Sequence, residues 1–342
     1  MNKKIILLGA LLLVAGMFVA SFFVMNNKVK ISEKVVQTIN EVTASSYPGP
    51  TLTPMPVEKL TQNNQQINLL FLGDIMLGRY VRTLMEKSGD LNYPFLKAKT
   101  TAGPGANFLS GTFDRVIANL EGPILPVPNR AQTGMSFGFA PDTAKIVKQN
   151  GVDIVTIANN HTLDQGERGL ASTQQYLKEA GLPFFGHPML PTEQDVLRQT
   201  IQGKTFAFIG FHDATHHLDD AGARTLIAKV NPTVDYTIVV IHWGIEYQKT
   251  NSPRQQQLAH DFIDAGADLV IGHHPHVVQN RETYKGVQIV YSLGNFIFDQ
   301  FWSAETQKGM AMEADFSSNP DDHSIQLIEH PLDLPHSQPV WR

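Results

Sequence analysis

The sequence predicts an α/β fold, and three observations carry that prediction. Two stretches, one starting at Gly151 and one at Gly266, follow the same script. Each opens with glycine, a small apolar residue and aspartate, continues as an apolar run, and reaches a histidine at the same offset, His161 and His276. Each is preceded by a helical pattern, Pro141 to Asn150 before one and Pro253 to Ala265 before the other. Further short apolar runs recur along the chain. Their length suits buried strands, and side chains that can bind metal or phosphate follow them.

The chain has 342 residues, enough for one large domain or two smaller ones. Its formal net charge of −5 leaves no basic excess to neutralise phosphates, so no nucleic-acid partner is expected. Cysteine is absent. That excludes disulfides, thiolate metal sites and a cysteine nucleophile, and leaves His, Asp, Glu and Asn as ligands.

In chain order, Ile5 to Met25 is an uncharged apolar run behind Lys3 and Lys4. It is close to the ~20 residues of a membrane-spanning helix, and no small-x-small cleavage site follows it. The expectation is an uncleaved, single-pass anchor over residues 1–25. The positive N-terminus would stay inside and place the main domain outside the cytoplasm. Lys28, Lys30 and Lys34 on the other flank run against that orientation. Residues 26–66 read as a flexible polar linker, rich in Ser, Thr, Asn, Gln and Pro, with a short helix over Lys34 to Val42. One globular domain then spans 67–342.

Ile67 to Gly73 reads as the first strand, with Asp74 at its end, where open α/β sheets collect ligands. Asp74 suits a helix N-cap equally well. Phe113 to Asn119 gives a second strand leading into Glu121, a bridging ligand or a surface turn residue. Gly103 to Gly111 and Val127 to Phe139 read as loops. After Asn160 and His161, a helix runs to Ala180 and stops at Gly181; Asp164 caps it or orients His161. Phe206 to Phe211 is a strand followed by His212, Asp213, His216 and His217, read as a solvated loop. Thr237 to Ile241 is a strand ending in His242, with Glu246 nearby as a ligand-orienting or water-facing residue. The run after Gly266 ends in Gly272–His273–His274–Pro275–His276, where His274 and His276 lie two apart in extended chain and can turn to one centre. Val287 to Tyr291 is the last strong strand. The aromatics Phe296 and Phe298 read as core, and Ser317 to Arg342 carries weaker strand signals.

Asp74, Glu121, Asn160, His161, His242, His274 and His276 all fall just beyond apolar strands. Oxygen ligands mixed with imidazoles, without sulfur, suit Mn, Zn or Fe. Such a set can hold two divalent ions about 3.5–4 Å apart, which clamp the attacking and leaving oxygens of a displacement. A histidine outside the ligand set would serve as general acid, and His161 fits that role.

Six blocks then carry a resemblance: Gly-Asp-Ile-Met-Leu-Gly-Arg (73–79), Asn-Leu-Glu (119–121), Asn-Asn-His-Thr-Leu-Asp-Gln-Gly (159–166), His-Trp-Gly-Ile-Glu-Tyr (242–247), Gly-His-His-Pro-His-Val (272–277) and Ser-Leu-Gly-Asn-Phe-Ile-Phe (292–298). In this order the chain resembles the CapA family of capsule and poly-γ-glutamate synthesis proteins, relatives of the calcineurin-like metallophosphoesterases. The resemblance implies a four-layer α/β/β/α sandwich of metallophosphoesterase type with its site at the strand ends. It also implies a bacterial cell-membrane protein working beside the subunits of the polyglutamate ligase complex, with the anionic polymer as a further partner.

By that resemblance, Asp74 and His276 would hold a first metal, and Glu121 would bridge. Asn160, His242 and His274 would hold a second, and His161, with Asp164 beside it, would act on the transition state. The phosphoesterase pattern expects histidine where Met76 stands and aspartate where Glu121 stands. A thioether is a poor ligand for such ions, so either one or two are expected. Two functions follow: a metal-dependent hydrolase of a phosphoester or a polymer amide, or a non-catalytic assembly or export factor that inherited the site.

Overall fold

The computed structural model describes residues 66–98, 113–129, 134–319 and 322–341. All of them belong to the unit Asn63–Arg342. The expected anchor over 1–25, the linker, the short helix at Lys34 to Val42 and the loop at Gly103 to Gly111 lie outside the described residues.

Two sheets and five α-helices make up the described part, a mixed α/β fold. In the first sheet, β1 (Gln66–Ile75), β2 (Arg115–Leu120), β3 (Ile154–Thr156) and β4 (Phe184–Phe185) run parallel. The antiparallel strands β12 (Lys308–Ser317), β13 (Ile325–Asp333) and β14 (Val340–Trp341) extend it beyond β1, and β11 (Asn295–Ile297) pairs with the end of β1. In the second sheet, β6 (Lys204–Asp213), β7 (Tyr236–Trp243), β8 (Leu269–His273) and β10 (Val287–Val290) are parallel. Its antiparallel edges are β5 (Leu197–Ile201) and β9 (Arg281–Tyr284).

Side-chain alternation explains how the layers stack. In β1, Ile67, Leu69 and Phe71 enter one core, and Leu70 and Leu72 enter another. The same split occurs in β7, where Ile238 and Val240 join the core of Leu69 and Phe71 while Val239, Ile241 and Trp243 face the opposite way. The shared core therefore lies between the sheets. The outer face of the first sheet is covered by helices α1 (Arg79–Ser88), α2 (Thr143–Gln149) and α3 (Gly166–Ala180), which contribute Val81, Val147 and Leu177. The outer face of the second is covered by α4 (Asp220–Val230) and α5 (Pro253–Asp264), through Ile227 and Phe262. Strands buried on both faces read as continuous apolar runs for this reason. Each fully buried Leu, Ile or Phe contributes roughly 1.5–3 kcal/mol of apolar burial.

The expected localisation, single-pass in the bacterial cell membrane, is corrected: no helix among the described residues is long and apolar enough to cross a membrane. The longest of them, α3, has 15 residues. At about 1.5 Å per residue it falls short of a ~30 Å hydrocarbon layer. It also carries Glu167, Arg168, Lys178 and Glu179.

The reading of residues 212–217 as a solvated loop is also corrected. His212 and Asp213 form the end of β6 and are buried. Arg254 clamps Asp213 in an ion pair at 2.9 Å, which is how a carboxylate is tolerated there. His217 is exposed, as expected of a loop residue.

Candidate metal centre

The parallel strands of both sheets deliver their C-terminal ends to one place. Asp74 at the end of β1 and His273 at the end of β8 are 3.0 Å apart, so the two sheets meet there. The glycines before these residues make the approach possible. A Cβ on Gly73 would run into the Gly294 carbonyl, and one on Gly272 into the Tyr291 carbonyl and the Trp243 indole.

Asp74 is fully buried, and both oxygens are engaged. Oδ1 accepts from Asn119 Nδ2 at 2.8 Å and from His273 Nδ1 at 3.0 Å, while Oδ2 lies 3.3 Å from His276 Nδ1. Burial pushes its carboxyl up, but hydrogen bonds and charge from His273 and His276 outweigh that and hold it well below the usual range. Glu121 is equally buried yet far less satisfied, and its Oε1 has no hydrogen-bond partner. His276 Nε2 faces that oxygen at 3.5 Å and His161 Nε2 at 3.8 Å. Burial, reinforced by the charges of Asp74 and Glu246, pushes Glu121 well above the ordinary value.

The imidazoles divide by environment. His242 Nε2 and His274 Nδ1 lie 3.1 Å apart. Burial and mutual or neighbouring imidazole charge hold His242 well below its usual value and His274 at about 3, so both are neutral at physiological pH. His276 is opposite in sign. Burial opposes its protonation, but the Glu121 and Asp74 carboxylates raise it to about 9. Its Nδ1 also lies 3.1 Å from Asn295 Oδ1. His274 and His276 adopt positive φ, 96° and 56°, a strained conformation for these residue types of the kind found at functional sites.

His161 is held from two sides. Its Nδ1 lies 2.8 Å from Asp164 Oδ2, which also accepts from the Phe137 amide at 2.6 Å. Its ring stacks on Phe137 with centroids 4.0 Å apart. The contact with the Asp164 carboxylate fixes the ring so that Nε2 faces Glu121. Asn160 is half-buried, and its Oδ1 is enclosed without a hydrogen-bond partner.

Two groups among the described residues could hold a metal ion: Asp74, Glu121 and His242, and Glu246, His274 and His276. The donor chemistry fits a divalent cation. Orphaned oxygens on Glu121 and Asn160, neutral imidazoles with a lone pair to give and two converging carboxylates are the donors such an ion takes. The sequence-predicted Asp74, Glu121, His161, His242, His274 and His276 are joined by the distances above, and Asp164 adjoins His161. Asn160 is tied to them only by its position next to His161 and its free oxygen. Met76 is buried, and its sulfur accepts from the Gly78 amide at 3.1 Å.

Sequence reasoning left His273, Asn119, Asn295 and Phe137 without a role. Asn119 was within reach, since it lies two residues before Glu121, on the same side of an extended strand. His273 sits in the same Gly-His-His-Pro-His run as its neighbours. Nothing local marks Asn295 or Phe137, whose partners are 19 and 24 residues away in sequence.

A family model described as "Bacterial capsule synthesis protein PGA_cap" matches residues 68–300, the span that holds this entire cluster. The chain belongs to that family. Among PGA_cap relatives, "Capsule biosynthesis protein CapA" of Bacillus anthracis is 33% identical over 268 residues, covering 71% of this chain and 62% of that protein. "PGA biosynthesis protein CapA" of Bacillus subtilis (strain 168) is 31% identical over 261 residues, covering 71% and 66%. A Mycobacterium tuberculosis protein named "Probable polyglutamine synthesis accessory protein" is 26% identical, covering 69% and 76%. The chain spans less than two thirds of the length of the two Bacillus relatives.

Proposed function

We propose that this PGA_cap protein serves capsule or poly-γ-glutamate synthesis as a metal-dependent hydrolase, cutting a phosphoester or an amide of the polymer. The observation that carries this reading is Glu121 Oε1, buried without a partner and faced by two imidazole Nε2 atoms. A fold does not bury such an oxygen without compensation. Asp74, Glu121, Asn160, His242, His274 and His276 are the proposed ligands, with Glu246 added from the geometry, for Mn, Zn or Fe. A divalent ion bound there supplies Lewis acidity to the scissile group.

The protein's own residues supply the rest. Asp164 fixes the His161 ring through Nδ1 and leaves Nε2 facing the site, where it serves as general acid to the departing oxygen or nitrogen. Phe137 stacks on the same ring and keeps it from rotating away. The four-layer arrangement of metallophosphoesterase type is part of this reading, because it brings the strand ends of both sheets to a single site.

A second reading is an assembly or export factor of the polyglutamate ligase complex without catalysis. It is favoured by Met76, whose sulfur is turned to the Gly78 amide, and by the word "accessory" in the mycobacterial relative's name. The full-length protein, loaded with each metal, should be offered a phosphodiester and a γ-glutamyl oligomer. His161→Ala should lower turnover by about 10²–10⁴ while metal content is retained. Absence of turnover on both bond types, with metal bound, would select the assembly factor.

A further inference from the structure

Asn119 lies at the end of β2 and is fully buried. Its Nδ2 is 2.8 Å from Asp74 Oδ1, 3.5 Å from Glu121 Oε2 and 3.3 Å from His242 Nδ1. Those three residues form one of the two groups that could hold a metal, with ligand atoms all within 4.8 Å of one another. An ion ligated by all three would sit about 2.0–2.2 Å from each. The Nδ2 group lies within 3.5 Å of an atom of each of the three.

The orientation of the amide is fixed by a chain of donors. Asn159 Oδ1 accepts from the His161 amide at 3.2 Å, the Thr162 amide at 3.0 Å and the Thr162 hydroxyl at 2.9 Å. Oxygen therefore occupies that side of Asn159, and its Nδ2 donates to the Leu120 carbonyl at 2.9 Å and to Asn119 Oδ1 at 3.0 Å. Asn119 must then turn its NH2 towards Asp74, Glu121 and His242. An amide flip would break this chain and set its oxygen against the Asp74 carboxylate.

We infer that the Asn119 amide stands in for a cation between Asp74, Glu121 and His242, so that this group takes up no ion and the protein binds a single ion at Glu246, His274 and His276. The two N–H bonds of the NH2 group serve Asp74 Oδ1 and one of the two other facing acceptors in place of a metal, and Met76 withholds a further ligand by bonding to Gly78. The inference rests on the metal-binding reading above and narrows it from two ions to one: Asp74 and His242 leave the ligand set, while Glu121 Oε1, which Asn119 does not reach and which lies 3.5 Å from His276 Nε2, is left to the remaining site.

Elemental analysis of full-length protein, saturated with Mn, Zn or Fe and then desalted, tests it directly. The wild type should hold one ion per chain. Asn119→Asp keeps an acceptor for Asn159 and adds a carboxylate to the group, and it should hold two. Thermal melts give a second readout: metal-free Asn119→Asp should melt below the wild type and gain more on metal addition, because an ion then neutralises the added charge. Asn119→Ala, which clears the space, should also take up a second ion. Two ions in the wild type, or one in both variants, would overturn the stand-in while leaving a metal-dependent enzyme in place. Should neither variant fold, the wild-type count still decides. No ion in the wild type and in either variant would sink the metal reading itself.

Discussion

His212 lends itself to a quantitative test because its two ring nitrogens have fixed and opposite duties. Nδ1 lies 2.9 Å from the Pro188 carbonyl, which can only accept, so Nδ1 carries the proton. Nε2 lies 3.3 Å from the Thr215 amide, which can only donate, so Nε2 must keep its lone pair. Protonating Nε2 sets two donors against each other in a buried site. Burial, with help from the His216 charge, accordingly lowers His212 from 6.5 to about 4. The unfolded chain binds this proton more readily than the folded one, so stability rises with pH across that window. Stability is lost as pH falls through about 6.5 and stops falling below about 4. The full penalty is about 3 kcal/mol at 1.36 kcal/mol per unit, and about 2 kcal/mol of it is spent between pH 7 and pH 5.

His212→Asn keeps a donor for Pro188 and removes the titration. Urea unfolding of the metal-free protein at several pH values should find the variant less stable at pH 7, by roughly 1–3 kcal/mol for the lost packing and Thr215 contact. The stability gap between wild type and variant should then narrow by about 2 kcal/mol on going to pH 5. The other buried imidazoles titrate in both proteins and cancel in the comparison. Parallel profiles across that range would refute the assignment of Nε2 as an obligatory acceptor.

Two further outcomes follow from named contacts. Asp164→Asn should leave metal content unchanged but cut turnover by at least about tenfold, since the His161 ring loses the carboxylate that holds its Nδ1 at 2.8 Å; unchanged turnover would show that Asp164 serves only the Phe137 amide. Gly272→Ala should destabilise by more than about 3 kcal/mol, because its Cβ meets backbone at Tyr291 and the Trp243 indole at a point where neither can retreat; a urea midpoint near the wild-type value would mean that the strand ends can separate.

Much of this protein was legible in the sequence because its strands are buried on both faces. Apolar runs such as Leu69 to Leu72 and Ile238 to Ile241 needed no alternation to be recognised, and the ligand-type residues after them marked the face that carries the site. The weaker elements were harder. Helices α1 and α4 and strand β12 gave no signal that was read as such, and His212 with Asp213 looked solvated because polarity alone was visible. Their burial depends on Arg254 and Pro188, which come from distant parts of the chain.

The sequence by itself determined the order of the main buried strands, the chemical types of ligand and the unusual Met76, since each is a property of residues in a row. Only the tertiary structure decided which of those ligands converge. Pairing Asp74 with His273 and placing the Asn119 amide among three acceptors require two sheets to meet at their strand ends, and aligning His242 with His274 requires β7 and β8 to pair in register. Those partners are separated by 199, 32 and 45 residues, and hydrogen bonds act over about 3 Å, so no local pattern encodes them.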